Sequence, residues 1–150
     1  MSQKKQTNIR HETKKVLIDT NFLLLPGQYK FDIFSEIEKV MNFKYKLYVV
    51  DRTIDELEKI SSGGTKAKLK DRIAAKIAIE LLERQKIDVL NSKHCKGRIV
   101  DDLIVELSDK NTIVCTNDKE LKKELLSKGF AIIELMKKSY LRINKKKECD

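Results

Sequence analysis

Three short runs decide what this chain can become. Lys15–Asp19 (KVLID), Lys46–Val50 (KLYVV) and Thr112–Thr116 (TIVCT) are apolar, rich in β-branched residues, and show no in–out alternation. Strands of that kind are buried on both faces, the pattern of a parallel sheet covered by helices above and below. Helical stripes lie between them: Ile33, Phe34, Ile37, Val40 and Met41 after Asp32, then Ile54, Leu57 and Ile60 within Asp51–Ser61. A long helix is expected over Lys66–Gln85, with Leu69, Ile73, Ile77, Leu81 and Leu82 as its apolar face. Further helices are expected over Asp102–Asp109 and over Asp118–Lys128, the second closed by Gly129. Ile87–Leu90 and Phe130–Glu134 read as short strands, Pro26-Gly27 as a turn, Ser61–Thr65 (SSGGT) as a loop, and the chain after Glu134 as a basic helical end. The order predicts an α/β protein: a three-layer α/β/α sandwich around a mainly parallel sheet of four or five strands.

Composition narrows the class. A chain of 150 residues matches one domain, and its abundant Ile, Leu and Val argue against disorder throughout. No apolar run approaches the ~18–20 residues of a membrane span. Three widely spaced cysteines (Cys95, Cys115, Cys149) behind a polar, basic start fit a reduced cytoplasmic protein better than a disulfide scaffold. The net charge of +9 is concentrated at the ends, with +4 in residues 1–15 and +4 in residues 137–150. The expected organisation is therefore a basic N-terminal tail (1–15), a folded body (16–136) and a basic C-terminal tail (137–150). Basic ends on a near-neutral body suit a polyanion held by charge. No aromatic platform accompanies the tails, so base reading is not indicated.

In a parallel sheet the working site lies beyond the carboxyl ends of the strands. Four acids from four separate stretches fall there: Asp19 after the first strand, Glu56 in the helix after the second, Asp101 at the helix after the third, and Asp118 after TIVCT. Carboxylate oxygens are the natural ligands of hard divalent cations such as Mg²⁺ and Mn²⁺. One or two such ions among the acids would make a phosphodiester-cleaving site, by activating water and neutralising phosphate charge. Each acid also has an ordinary structural use. On that alternative reading Glu56 would close a Thr53-x-x-Glu56 capping box, Asp101 and Asp118 would serve as N-caps, and Asp19 would bond into the turn at Thr20-Asn21. Capping, however, does not require all four to share one sheet edge.

VLIDTN, TIDELEKI, DDLIVEL and IVCTND, in this order and at these spacings, resemble a PIN domain over roughly residues 16–135. The resemblance implies a metal-dependent endoribonuclease on a parallel sheet with helices on both sides. It implies Asp19, Glu56, Asp101 and Asp118 as the acidic cluster, with Asn21 and Thr116 as polar supports. Asp101 is preferred to Asp102 because Leu103, Ile104 and Leu107 then take the apolar positions usual after that acid, and Asp102 is left a supporting role. The long helix and basic C-terminus resemble the archaeal and eukaryal branch that trims precursor ribosomal RNA more than the shorter VapC-type toxins. The cysteine-rich zinc elements of some processing nucleases are absent from the sequence.

Lys66, Lys68, Lys70 and Arg72 beside SSGGT are expected to clamp RNA phosphates, with Lys96 and Arg98 in a similar role. The alternative is a solvated helix face, since Glu80 and Glu83 offset part of the charge. The expected protein is a cytoplasmic endoribonuclease acting on RNA, foremost precursor ribosomal RNA, with ribosome assembly factors or a second copy as possible partners. Its alternatives are a non-catalytic RNA-binding assembly factor and a VapC-type toxin. A phosphatase is disfavoured because Asp19-Thr20-Asn21 lacks the second acid of a DxD pattern.

Overall fold

The computed structural model describes residues 13–64 and 66–145. The remaining basic N-terminal residues, Lys146 and Lys147, and Cys149 lie outside the described residues. Six strands form one sheet: β1 (Lys14–Ile18), β2 (Tyr45–Val50), β3 (Asp88–Leu90), β4 (Thr112–Cys115), β5 (Ala131–Met136) and β6 (Tyr140–Asn144). Their order is β3-β2-β1-β4-β5-β6, with the first five parallel and β6 antiparallel to β5. The chain runs outward from β1 to β3 and returns to β4 on the other side, so a switch point falls between β1 and β4. The crevice above such a point is the natural ligand site of an open α/β sheet.

Among the described residues, seven helices cover the sheet: α1 (Thr20–Leu23), α2 (Leu25–Tyr29), α3 (Ile33–Val40), α4 (Asp51–Ser61), α5 (Leu69–Arg84), α6 (Val100–Leu107) and α7 (Lys119–Ser127). Strand residues alternate between two cores. Val16, Ile18, Val49 and Cys115 pack with Phe22, Leu23, Ile33, Ile37, Leu57 and the alanines of α5. Leu17, Val50, Val114 and Ile132 pack with Leu103, Ile104, Leu121 and Leu125 of α6 and α7. The apolar strand runs are thus explained: consecutive residues serve opposite faces of one covered sheet. Asp32 caps α3 by accepting the Ser35 N–H, and Gly129 leaves α7 with φ +88°.

The three-layer α/β architecture is as expected, with one strand more. The basic helical end expected after β5 is instead β6, which pairs Leu141 with Leu135 and buries it. Its alternation of buried Leu141 with exposed Arg142 is the edge-strand pattern that charge obscures in the sequence. The expected turn at Pro26-Gly27 lies within α2, where Pro occupies the first turn without loss of a helical hydrogen bond. The apolar face expected for α5 is out of phase. Ala74, Ala75 and Ala78 are buried, whereas Leu69, Ile73 and Ile77 are exposed. The cause is close approach of α2: a Cβ on Gly27 would stand 2.5 Å from Ala74 Cα, so only small side chains fit between the helices. Among the described residues, no helix is long and apolar enough to cross a membrane.

Candidate active site

Asp19 follows β1 directly and is 3% exposed. Its Oδ2 accepts the Thr116 hydroxyl hydrogen across 2.9 Å. Thr116 in turn accepts the Asp118 backbone N–H at 3.1 Å, and Asp118 Oδ1 accepts the Leu121 N–H at 2.9 Å. Asp118 is therefore an N-cap, as its ordinary reading expected, and it also faces the crevice. Glu56 lies in the second turn of α4, so the capping box does not form: the helix already begins at Asp51. Instead Glu56 Oε1 accepts the Thr20 hydroxyl hydrogen at 2.6 Å. Asp101 stands in the first turn of α6 and is not its N-cap, which is Ile99.

Asp19, Glu56, Asp101 and Asp118 line one cleft of about 520 Å³, together with Thr20, Asn21 and Lys59. Asp102 does not line it. That side chain is exposed and packs toward Gly97, which separates the roles of the doublet. Burial pushes the Asp19 carboxyl up to about 6, with the charges of Asp101 and Asp118 adding to the rise and the Thr116 bond opposing it. Asp101 is also raised, first by burial and then by Asp118, Glu56 and Asp102. Both rises come first from burial, and neighbouring carboxylates without a counter-charge add to them. Among the described residues, no three His, Cys, Asp or Glu side chains are drawn together tightly enough to hold a metal ion. The Thr20 bond holds Glu56 to one side.

The basic residues fall differently from expectation. Lys66, Lys68, Lys70 and Arg72 do not line the acidic cleft or the adjoining one. Arg72 packs against Gly63, and the Lys70 ammonium lies 5.0 Å from the Tyr29 ring centre. The Lys96 backbone N–H bonds Glu106. Arg98 does line the adjoining cleft, a space of about 600 Å³ that shares Glu56, Lys59, Ile99 and Val100 with the acidic one. Sequence reasoning missed Thr20, Lys59 and Arg52. The spacing Glu56-x-x-Lys59 on a helix was the available signal for Lys59, since residues three apart share a face.

The PIN like domain family matches residues 16–138, and the chain belongs to that family. It is 27% identical to Ribonuclease VapC4 of Methanocaldococcus jannaschii over 86% of this chain and 95% of that protein. It is 31% identical to the rRNA-processing protein fcf1 of Schizosaccharomyces pombe over 73% of this chain, which spans about half (52%) of that relative's length. Its fold matches the solved structure of the PIN domain endonuclease Utp24 with a TM-score of 0.69 and 28% identity, covering 87% of this chain and 91% of that one.

Proposed function

We propose that this chain is a Mg²⁺- or Mn²⁺-dependent endoribonuclease, acting foremost on precursor ribosomal RNA. The observation that carries this reading is the convergence of Asp19, Glu56, Asp101 and Asp118 on one cleft at the sheet's switch point. The donor set is all oxygen and mutually repulsive, which fits a hard divalent cation and no softer metal. Asp19, Asp101 and Asp118 would hold it, with Glu56 joining directly on release from Thr20 or through water. A bound divalent cation supplies Lewis acidity toward the phosphodiester and neutralises its charge.

The chain's own groups do the rest. Thr116 fixes the rotamer of Asp19, and Thr20 sets that of Glu56. Lys59 at the edge of the acids and Arg52 and Arg98 in the adjoining cleft attract the RNA backbone. The proposed products carry 5′-phosphate and 3′-hydroxyl ends. The likeness to rRNA-processing proteins favours a ribosomal substrate, and with it ribosome assembly factors as partners. The buried thiol of Cys115 suits a reducing compartment, and we place the activity in the cytoplasm.

The test is cleavage of structured RNA with Mn²⁺, wild type against Asp19→Asn. The expected result is loss of cleavage in the variant; equal rates overturn the reading. Uptake of Mn²⁺ without turnover would instead identify a non-catalytic RNA-binding factor. A toxin-like ribonuclease is the second reading, favoured by the match to nearly the full length of an archaeal VapC protein. Growth arrest on expression of the wild type, absent with Asp19→Asn, would support it.

A further inference from the structure

Tyr29, at the end of α2, is 48% exposed, and two lysines distant in sequence approach its ring. Lys70 Nζ from α5 lies 5.0 Å from the ring centre and Lys138 Nζ from the β5–β6 turn lies 5.3 Å away. The ring lines a cavity of about 380 Å³ with Asn21, Gln28, Asn117, Lys137 and Lys138. Asn21 also lines the acidic cleft, so the two spaces adjoin. The scaffold under the ring is fixed: Gln28 Nε2 donates to Asp71 Oδ1 at 2.9 Å, and Gly27 lies flush on Ala74. Across the cavity, Lys137 and Lys138 both hold left-handed backbone (φ 52° and 53°) in a turn closed by Ser139 N–H to Met136 O. Such a turn ordinarily selects Asn-Gly. Here two lysines occupy it against the steric cost of left-handed backbone, which presents two ammonium groups at the rim.

We propose that Tyr29, Lys70, Lys137 and Lys138 form a nucleotide subsite for single-stranded RNA beside the acidic cleft, with one base stacked on Tyr29 and its flanking phosphates held by the lysines. This rests on the ribonuclease reading and assigns where the strand lies as it leaves the acids. The energetics favour exchange at the ring. An exposed cation–π contact is weaker than the stacking of a base on an aromatic ring. A base therefore displaces a lysine from the ring, and the released ammonium meets a phosphate instead of water. The aromatic platform that the linear sequence lacks beside its basic end is supplied by folding, which brings Tyr29 to Lys137 and Lys138.

The test uses the full chain in EDTA at low salt, with a single-stranded oligoribonucleotide carrying 2-aminopurine. Wild type and Tyr29→Phe are expected to bind it and quench its fluorescence. Tyr29→Ala is expected to bind about tenfold more weakly and to lose the quench, while still unfolding in one cooperative transition a few degrees below wild type. The double variant Lys137→Asn with Lys138→Gly keeps the turn, because both residues accept left-handed backbone. It is expected to lower the salt dependence by about 1.4 in log–log slope, as two lost phosphate contacts require. If wild type binds the RNA and Tyr29→Ala matches it in affinity and quench, the subsite is overturned while the ribonuclease reading stands. If wild type itself binds no RNA, the subsite is overturned, and cleavage with Mn²⁺ decides the ribonuclease reading separately.

Discussion

The Thr116 hydroxyl at the end of β4 donates to Asp19 Oδ2 at the end of β1 across 2.9 Å, bridging the two strands that flank the switch point. The same oxygen accepts the Asp118 N–H, so its one hydrogen is committed to Asp19. A hydrogen bond to a charged group contributes about 1.5–3 kcal/mol, and here it favours the ionised carboxylate. Thr116→Val keeps the shape and removes the bond. In metal-free protein Asp19 then rises further above 6, and the acidic limb of the pH–rate profile, set by protons competing with the cation, is expected to move up by about one unit. Cleavage at pH 7 is expected to fall roughly twofold, to fall roughly tenfold only below the wild-type value of about 6, and to recover at higher pH, while Thr116→Ser keeps the wild-type profile. Superimposable profiles for Val and wild type would remove Thr116 from the site.

In metal-free protein, Asp19 makes the fold weaker as pH rises. Its carboxyl titrates at about 6 when folded against an ordinary 3.8, so between those values the folded state binds more protons than the unfolded one. Stability is therefore lost as pH climbs through that window and is flat, for this group, above it. At about 1.4 kcal/mol per unit the loss approaches 3 kcal/mol. Asp19→Asn is expected to be more stable than wild type at pH 7 in EDTA by up to ~3 kcal/mol, with the gap closing near pH 4. Urea unfolding across pH measures this. Added Mn²⁺ is expected to raise the wild type by about 2.7 kcal/mol at a hundredfold excess over Kd and to leave Asp19→Asn unmoved.

The acids were legible in the sequence because parallel strands announce themselves, and the residue after each strand then falls on one edge. Asp19 and Asp118 needed only that rule. What was not legible depended on tertiary contact. The face of α5 is set by Gly27 pressing on Ala74, so alanines are buried where Leu69 and Ile73 have the greater hydrophobicity. β6 was hidden because Lys137, Lys138 and Arg142 read as a basic tail, although Leu141 is buried and Arg142 is paired with a buried partner. Lys66, Lys68 and Lys70 sit near the glycine loop in sequence, yet none of them lines the acidic cleft or the adjoining one, where Lys59 and Arg98 stand instead.

That buried partner, Glu134, ties β6 to the sheet. At 4% exposure it accepts Lys122 Nζ at 2.9 Å, Arg142 Nε at 2.8 Å and Asn144 Nδ2 at 3.2 Å. Burial alone pushes its carboxyl up, but the bonds and charges of Lys122 and Arg142 outweigh it and hold the group below its ordinary 4.5. Its contribution is thus present above pH 4.5 and lost as pH falls through the lower folded value. Glu134→Gln is expected to be less stable by about 2 kcal/mol at pH 7, with little difference at the most acidic pH the fold survives. A constant gap at all pH would mean that packing, rather than charge, is what Glu134 contributes.

Gly27 and Gly64 offer opposite outcomes from the same substitution. A Cβ at Gly27 meets Ala74 Cα at 2.5 Å and Ala74 Cβ at 2.8 Å, backbone and stub that have nowhere to rotate. Gly27→Ala must push α2 off α5, an overpacking expected to destabilise by about 1–3 kcal/mol. The shift carries Tyr29, two residues on, and weakens RNA binding along with the fold. Ala74→Gly in that background relieves only the Cβ contact, so recovery is expected to be partial. At Gly64 the nearest atoms are Lys59 O at 3.5 Å and Ser62 Oγ at 3.7 Å, with no left-handed backbone to preserve. Gly64→Ala is therefore expected to stabilise by about 0.4–1 kcal/mol, by restricting the unfolded chain. Thermal unfolding of the two variants side by side checks both signs, and a neutral Gly27→Ala would show that the α2–α5 contact is looser than 2.5 Å requires.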